Sequence, residues 1–148
     1  MAVDDIPLPA LLRAARGSYG GEIRRWLAAA GFDDLPRNGA FVLGAMANQG
    51  VAAGDLIRQL GVSKQATAQF VDTLVLRGYL ERTTNADDRR RLDLALTDRG
   101  RAAADEVRAA VLAVDGALAR KLTADEIAAL RKGLIALIEI REAAEEAE

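Results

Sequence analysis

The side chains in this chain best suited to chemistry are amides and cations rather than nucleophiles. Lys64, Gln65 and Gln69 fall within six residues of one another, and Arg89, Arg90 and Arg91 form an unbroken run beside Asp87 and Asp88. Amide and cationic side chains pair with base edges in the major groove of DNA. Clustered arginines neutralise phosphates or enter a narrow minor groove. Catalytic chemistry has little to work with. The chain has no cysteine and no histidine, which removes thiolate metal ligands, cysteine-based redox sensing and the commonest general base. No Gly-rich phosphate loop or nucleophile-elbow pattern is present. The sequence therefore leads us to expect no catalytic residue, no metal site and no cofactor.

The elements that would position these groups can be read from spacing. Ser63 is a good helix N-cap, because its hydroxyl can accept from a backbone N–H of the first turn. Thr67, Phe70, Val71 and Leu74 follow at helical spacing as one apolar stripe, and Gly78 stops the helix. The opposite face carries Lys64, Gln65, Ala68, Gln69 and Thr73. Past Gly78 the period changes to two. Leu92, Leu94 and Leu96 alternate with Asp93, Ala95 and Thr97, and residues 80–84 supply a partner strand. Residues 85–91, with the arginine run, become the hairpin loop. Upstream, residues 55–60 and Gly61 read as a short helix and a tight turn. A short helix, a turn, a longer helix and a basic hairpin describe a winged helix-turn-helix, whose second helix lies in the major groove. Lys64, Gln65, Ala68 and Gln69 are then the base-contacting candidates, and Ser63, Thr73 and Arg77 are placed for phosphates.

The stretch from Gly61 to Arg82, followed by NADDRRRLDLALTDRG, resembles the MarR (multiple antibiotic resistance regulator) family of bacterial transcription factors. The wing of that family reads Asp-Pro-x-Asp-Arg-Arg and runs into an alternating strand ending Leu-Thr-x-x-Gly. Asp88, Arg89, Arg90, Leu96, Thr97 and Gly100 fall in register with it. Asn85 and Ala86 replace Asp-Pro, which predicts a less rigid turn into the wing, and Ala52 stands where the family has a Thr or Ser cap. The resemblance implies that Arg90 enters the minor groove. It implies that Asp88 supports the wing tip, and that Arg89 and Arg91 meet phosphate. It also implies terminal helices that interlock two subunits, and a cleft that binds small phenolic or lipophilic effectors. Tyr19, Trp26, Phe41 and Met46 are the candidates to line such a pocket, each with core packing as its competing role.

The remaining chain fits one domain of 148 residues, mainly α with a small β-hairpin wing. Apolar positions from Leu8 to Leu27 follow helical spacing, and Gly17, Gly20 and Gly21 predict a kink or a local irregularity there. Residues 31–37 are a turn, with Pro36 near the start of a core helix over 38–48. Thr97 caps a helix from 98 to about 120, and the Thr-Ala-Asp-Glu run 123–126 is a capping box for the last helix. The apolar faces of these terminal helices, within 6–31 and 98–146, exceed what a lobe over 36–97 needs to cover, which points to a partner; the resemblance implies that the partner is a second copy, in a homodimer. No long apolar run or leader is present, so the expected location is cytoplasmic, with no membrane contact.

The net charge of −2 counts against nucleic acid only until its distribution is considered. From Arg58 to Arg101 there are nine Lys/Arg against six Asp/Glu, while acidic residues crowd the C-terminal run. The reading is a homodimeric winged helix-turn-helix regulator, a repressor that binds double-stranded DNA at a pseudo-palindromic operator. The alternative is a winged-helix protein-interaction module that does not bind DNA. A small helical enzyme has the least support.

Overall fold

The computed structural model describes residues 5–49, 63–85, 87 and 92–146. Its elements, in order, are α1 (Leu8–Ala29), α2 (Gly39–Gln49), α3 (Lys64–Leu76), β1 (Leu80–Thr84), β2 (Leu92–Leu96), α4 (Asp98–Ala119) and α5 (Ala124–Glu145). The chain divides into two compact units, residues 1–111 and 112–148. Mainly helical with one antiparallel hairpin, the chain has the expected fold class.

In the first unit, two helices end in the same way. Gly31 (φ +83°) follows α1, and Gly78 (φ +74°) follows the cap of α3. In each case the glycine N–H and the next N–H turn back onto the last turn. Phe32 N bonds Leu27 O at 2.8 Å and Gly31 N bonds Ala28 O at 3.2 Å. Tyr79 N bonds Leu74 O at 2.9 Å and Gly78 N bonds Val75 O at 3.0 Å. These are Schellman ends, which satisfy otherwise orphaned carbonyls. They also aim an aromatic residue, Phe32 or Tyr79, back at the core. Leu27, Leu43, Leu74, Tyr79, Leu80, Ala103, Ala104 and Val107 form that core. The stripe on α3 packs as its spacing requires, with Leu74 buried and Phe70 and Val71 against Val42.

The hairpin pairs Leu80 with Leu96 and Thr84 with Leu92. It runs straight into α4 through Thr97. The Thr97 hydroxyl accepts from Gly100 N at 2.9 Å, capping the helix, and donates to the carbonyls of Gly78 and Tyr79. Thr97 N also donates to Tyr79 O at 3.2 Å. Gly100 lies so close to this carbonyl that a Cβ would stand 2.0 Å from the Tyr79 oxygen. A glycine is therefore required by contact rather than by φ. In the second unit, the capping box forms as expected: Glu126 N donates to Thr123 Oγ1 at 3.3 Å and Thr123 N to Glu126 Oε2 at 2.8 Å.

The kink or local irregularity expected in α1 does not interrupt the helix. The helix runs unbroken through Gly17, Gly20 and Gly21. A Cβ at Gly17 or Gly21 would meet nothing within 4 Å, and at Gly20 only the Arg24 side chain. Three glycines at up to about 1 kcal/mol each do not by themselves break a 22-residue helix whose far end is anchored by Leu27.

Gly100→Ala should destabilise the chain by about 2–3 kcal/mol in urea unfolding, because a backbone carbonyl cannot yield as a side chain would. Gly78→Ala, whose Cβ would meet only Arg99 Cδ at 3.7 Å, should cost about 1 kcal/mol, for its left-handed backbone alone. The reverse order would contradict the contact origin of the Gly100 requirement.

Candidate nucleic-acid interface

Ser63 takes an extended conformation (φ −62°, ψ 159°) and its Oγ accepts from Ala66 N at 3.2 Å, so the N-terminus of α3 is capped as expected. With the apolar stripe turned to the core, Gln65, Ala68 and Gln69 are left exposed on the other face. This is the arrangement a groove-reading helix needs: small or amide side chains, solvated, on a rigid element. Lys64 is the first helical residue, and its side chain lies outside the described set.

Two of the phosphate candidates have partners within the chain. Thr73 Oγ1 donates to Gln69 O at 2.7 Å, which leaves its lone pairs but not its proton. Arg77 caps the C-terminal end of α3, and its Nη1 donates to the carbonyl of Asp34. One donor of its fork is thus tied to the turn after α1.

The root of the wing is held at both strands. Arg82 on β1 bonds Asp72 on α3 at 2.5 Å, tying the hairpin to the helix. Asn85 Nδ2 donates to Asp93 Oδ2 at 2.7 Å, and Asn85 Oδ1 accepts from Asp87 N at 2.8 Å. The turn expected to loosen when Asp-Pro was replaced is therefore stapled by an amide that bridges the strands. Asp88, Arg89, Arg90 and Arg91 lie outside the described residues, as do residues 55–60, Gly61 and Ala52.

Of the four pocket candidates, Tyr19 and Trp26 lie on α1 and Phe41 and Met46 on α2. Trp26, half-buried on α1, lines a shallow hollow with Arg25, Ala29, Ala30 and Glu106. Its Nε1 donates to Glu22 Oε1 at 2.8 Å, and this bond, with Arg25 beside it, holds the Glu22 carboxyl below its ordinary value. Met46 packs against the core and Phe41 is 49% exposed. Tyr19 is half-buried on α1.

A cluster that spacing alone does not reveal lies behind α3. Tyr79 OH donates to Asp34 Oδ1, and Arg99 Nη2 donates to the same oxygen at 3.0 Å and to the Tyr79 oxygen at 3.2 Å. The Arg99 guanidinium lies 4.7 Å from the Tyr79 ring centre and 5.3 Å from that of Phe32, and the two rings are 6.2 Å apart. The signal in the sequence was the aromatic residue directly after each helix-ending glycine. Tyr79's phenol is pushed up to about 12 by burial and then by the Asp34 carboxylate. Asp34 is held below the ordinary aspartate value by the Tyr79 hydroxyl, and further by the Arg99 charge.

A family model described as MarR family matches residues 33–91, the span from this cluster to the end of the arginine run. Solved structures match over most of the chain. A mutant MarR from E. coli is 26% identical, with 90% of this chain and 97% of that one covered and a TM-score of 0.62. The M. tuberculosis MarR family protein Rv2887, in complex with salicylic acid, is 28% identical, with 92% and 99% covered and a TM-score of 0.59. Over residues 33–91 the chain is thus similar to the MarR family of transcriptional regulators, and its fold is similar to that of MarR proteins over most of its length. Streptococcus pneumoniae FabT, in complex with DNA, shares the fold at 22% identity, with 90% and 93% covered and a TM-score of 0.73. A comparison with curated proteins gives no significant match. Among the described residues, no helix is long and apolar enough to cross a membrane.

The cluster has a pH signature. Tyr79 titrates higher folded than unfolded, so its contribution is complete below pH ~10 and is lost as pH rises through about 12. Asp34 titrates lower folded than unfolded, so its contribution is present above pH ~3.9 and is lost as pH falls through its lowered value. The stability gap between the parent and Tyr79→Phe, measured by urea unfolding, should be constant from pH ~6 to ~10 and shrink above that. A gap that persists beyond pH 12 would show that the phenol is not its source.

Proposed function

We propose that this regulator is a homodimeric transcriptional repressor that binds a pseudo-palindromic operator, with half-sites about one helical turn apart. The observation that carries this reading is the face of α3. Gln65, Ala68 and Gln69 are exposed on a Ser63-capped helix whose other side is locked into a winged-helix core. Lys64, Gln65, Ala68 and Gln69 read base edges. Ser63, Arg89, Arg91 and the free part of the Arg77 fork meet phosphates, and Thr73 joins them by turning its hydroxyl proton away from Gln69 O. Arg90 enters the minor groove from the wing tip, with Asp88 supporting that tip. FabT, which shares the fold, was solved with DNA.

Dimerisation is supported by α5. Leu130, Leu134, Ile135, Leu137, Ile138 and Ile140 are between 37 and 67% exposed, and no residue of that helix is buried. An apolar stripe of this size is covered in solution, and the same stripe on a second copy is the cover we assign. Two copies also present the basic excess of residues 58–101 twice, which offsets the overall charge of −2. A small phenolic or lipophilic effector would release the operator by favouring one spacing of the two α3 helices. The salicylic acid complex of Rv2887 supports that class of ligand, and Tyr19, Trp26, Phe41 and Met46 are the residues we assign to its pocket. Its place of action is the cytoplasm.

The test is fluorescence-anisotropy binding to DNA fragments from the gene's own neighbourhood, across a salt series. The parent should bind one fragment tightly and with a steep salt dependence. Arg90→Ala should lose several-fold or more in affinity at fixed salt while the dimer stays intact, and the log–log salt slope should fall by about one. Weak binding, equal for all fragments in a genome-wide fragment pull-down as well, would overturn the proposal in favour of a protein-interaction module.

A further inference from the structure

The C-terminal end of α3 is fixed at one point by backbone alone. Tyr79 N closes the helix end, and Tyr79 O takes both the N–H and the hydroxyl of Thr97 with Gly100 packed onto it. The apolar stripe of α3 and the Asp72–Arg82 pair hold the body of the helix. Asp34 adds an attachment off the helix axis at its C-terminal end, where a small change in angle is carried along the whole helix. The Asp34 carbonyl accepts from Arg77, the cap of α3, and its carboxylate accepts from Tyr79 and Arg99. Arg99, on the first turn of α4, closes the circuit by lying over both Phe32 and Tyr79. The turn after α1, the end of α3 and the start of α4 thus meet on one aspartate.

We propose that Asp34 and Arg99 are positioning residues that set the tilt of α3 about the Tyr79 carbonyl, and with it the reach of Gln65 and its neighbours toward DNA. The link to DNA rests on the regulator reading above; the tilt itself does not. Leverage makes the effect large. The 13 residues of α3 span about 20 Å, so a tilt of about 5° at the pivot moves the N-terminal end by nearly 2 Å. Hydrogen bonds to bases tolerate only a few tenths of an ångström. The side chains of Asp34 and Arg99 are 42 and 41% exposed, so the pair contributes little to global stability. Its loss should be visible in geometry before it is visible in folding.

A chain without cysteine allows this to be measured directly. Spin labels at Gln65→Cys on α3 and Asp105→Cys on α4, in labelled chains diluted with unlabelled ones, report the intrachain distance by pulsed dipolar EPR. The Asp34 and Arg99 backgrounds are parent, Asp34→Asn, Arg99→Ala and Arg99→Lys. We expect one narrow distribution in the parent. In Asp34→Asn and Arg99→Ala it should shift or broaden by about 2 Å or more, with the melting temperature within a few degrees of the parent. Arg99→Lys, which keeps the charge on Asp34 but not the planar layer over two rings, should fall between. In unlabelled chains, the same two variants should weaken operator binding about tenfold or more with the salt slope unchanged, because phosphate contacts remain. Distributions identical to the parent in both Asp34→Asn and Arg99→Ala would overturn the positioning role whatever the DNA result. A parent that binds no fragment selectively would overturn the regulator reading, while the EPR distances would still decide the positioning role of Asp34 and Arg99.

Discussion

The first unit depends on the main chain of a single residue. Tyr79 carries the end of α3, the start of β1 and, through Thr97 and Gly100, the start of α4. The hydrogen bonds involved are ordinary in length, but all converge on one residue that is removed from water. Backbone groups in that situation must be partnered, because leaving one unmade costs its full desolvation. This is why a glycine and a threonine sit three residues apart at the head of α4. The threonine is the partner, and the glycine makes room for it.

The same economy recurs at the two helix ends. Gly31 and Gly78 each permit a left-handed turn that delivers an aromatic ring to one place, and Arg99 covers both rings with a planar cation. Arginine suits this position because its guanidinium stacks while its edge still donates to Asp34. A lysine could supply the charge but not the layer. Around this joint, polar residues are used to connect elements rather than to fill space: Asp72 to Arg82 across helix and strand, and Asn85 to Asp93 across the hairpin.

Much of this was legible in the sequence, for local reasons. Ser63, Gly78, Thr97 and the Thr123–Glu126 box act within a few residues of themselves, so spacing alone identified them, and the alternation at 92–96 determined which strand residues share a face. The Asp34–Tyr79–Arg99 joint was not legible, because its partners lie 45 and 65 residues apart and no local period links them. The glycines Gly17, Gly20 and Gly21 are the opposite case. A local preference worth about 1 kcal/mol per residue does not interrupt the helix. At the candidate interface, residue type and the exposed face of α3 were readable in advance. The tether from Arg77 to Asp34 was not.

Gly100 bears on how sequence variation in this region should be interpreted. It follows the wing in the chain and lies in the first turn of a helix, where an unvarying residue invites a functional explanation. Its constraint is a carbonyl oxygen 2.0 Å from where a methyl group would be. Mutational tolerance at this position would be low even in a descendant that had abandoned nucleic acid altogether. Intolerance there measures how closely one strand passes a helix, and it carries no information about what the surface touches.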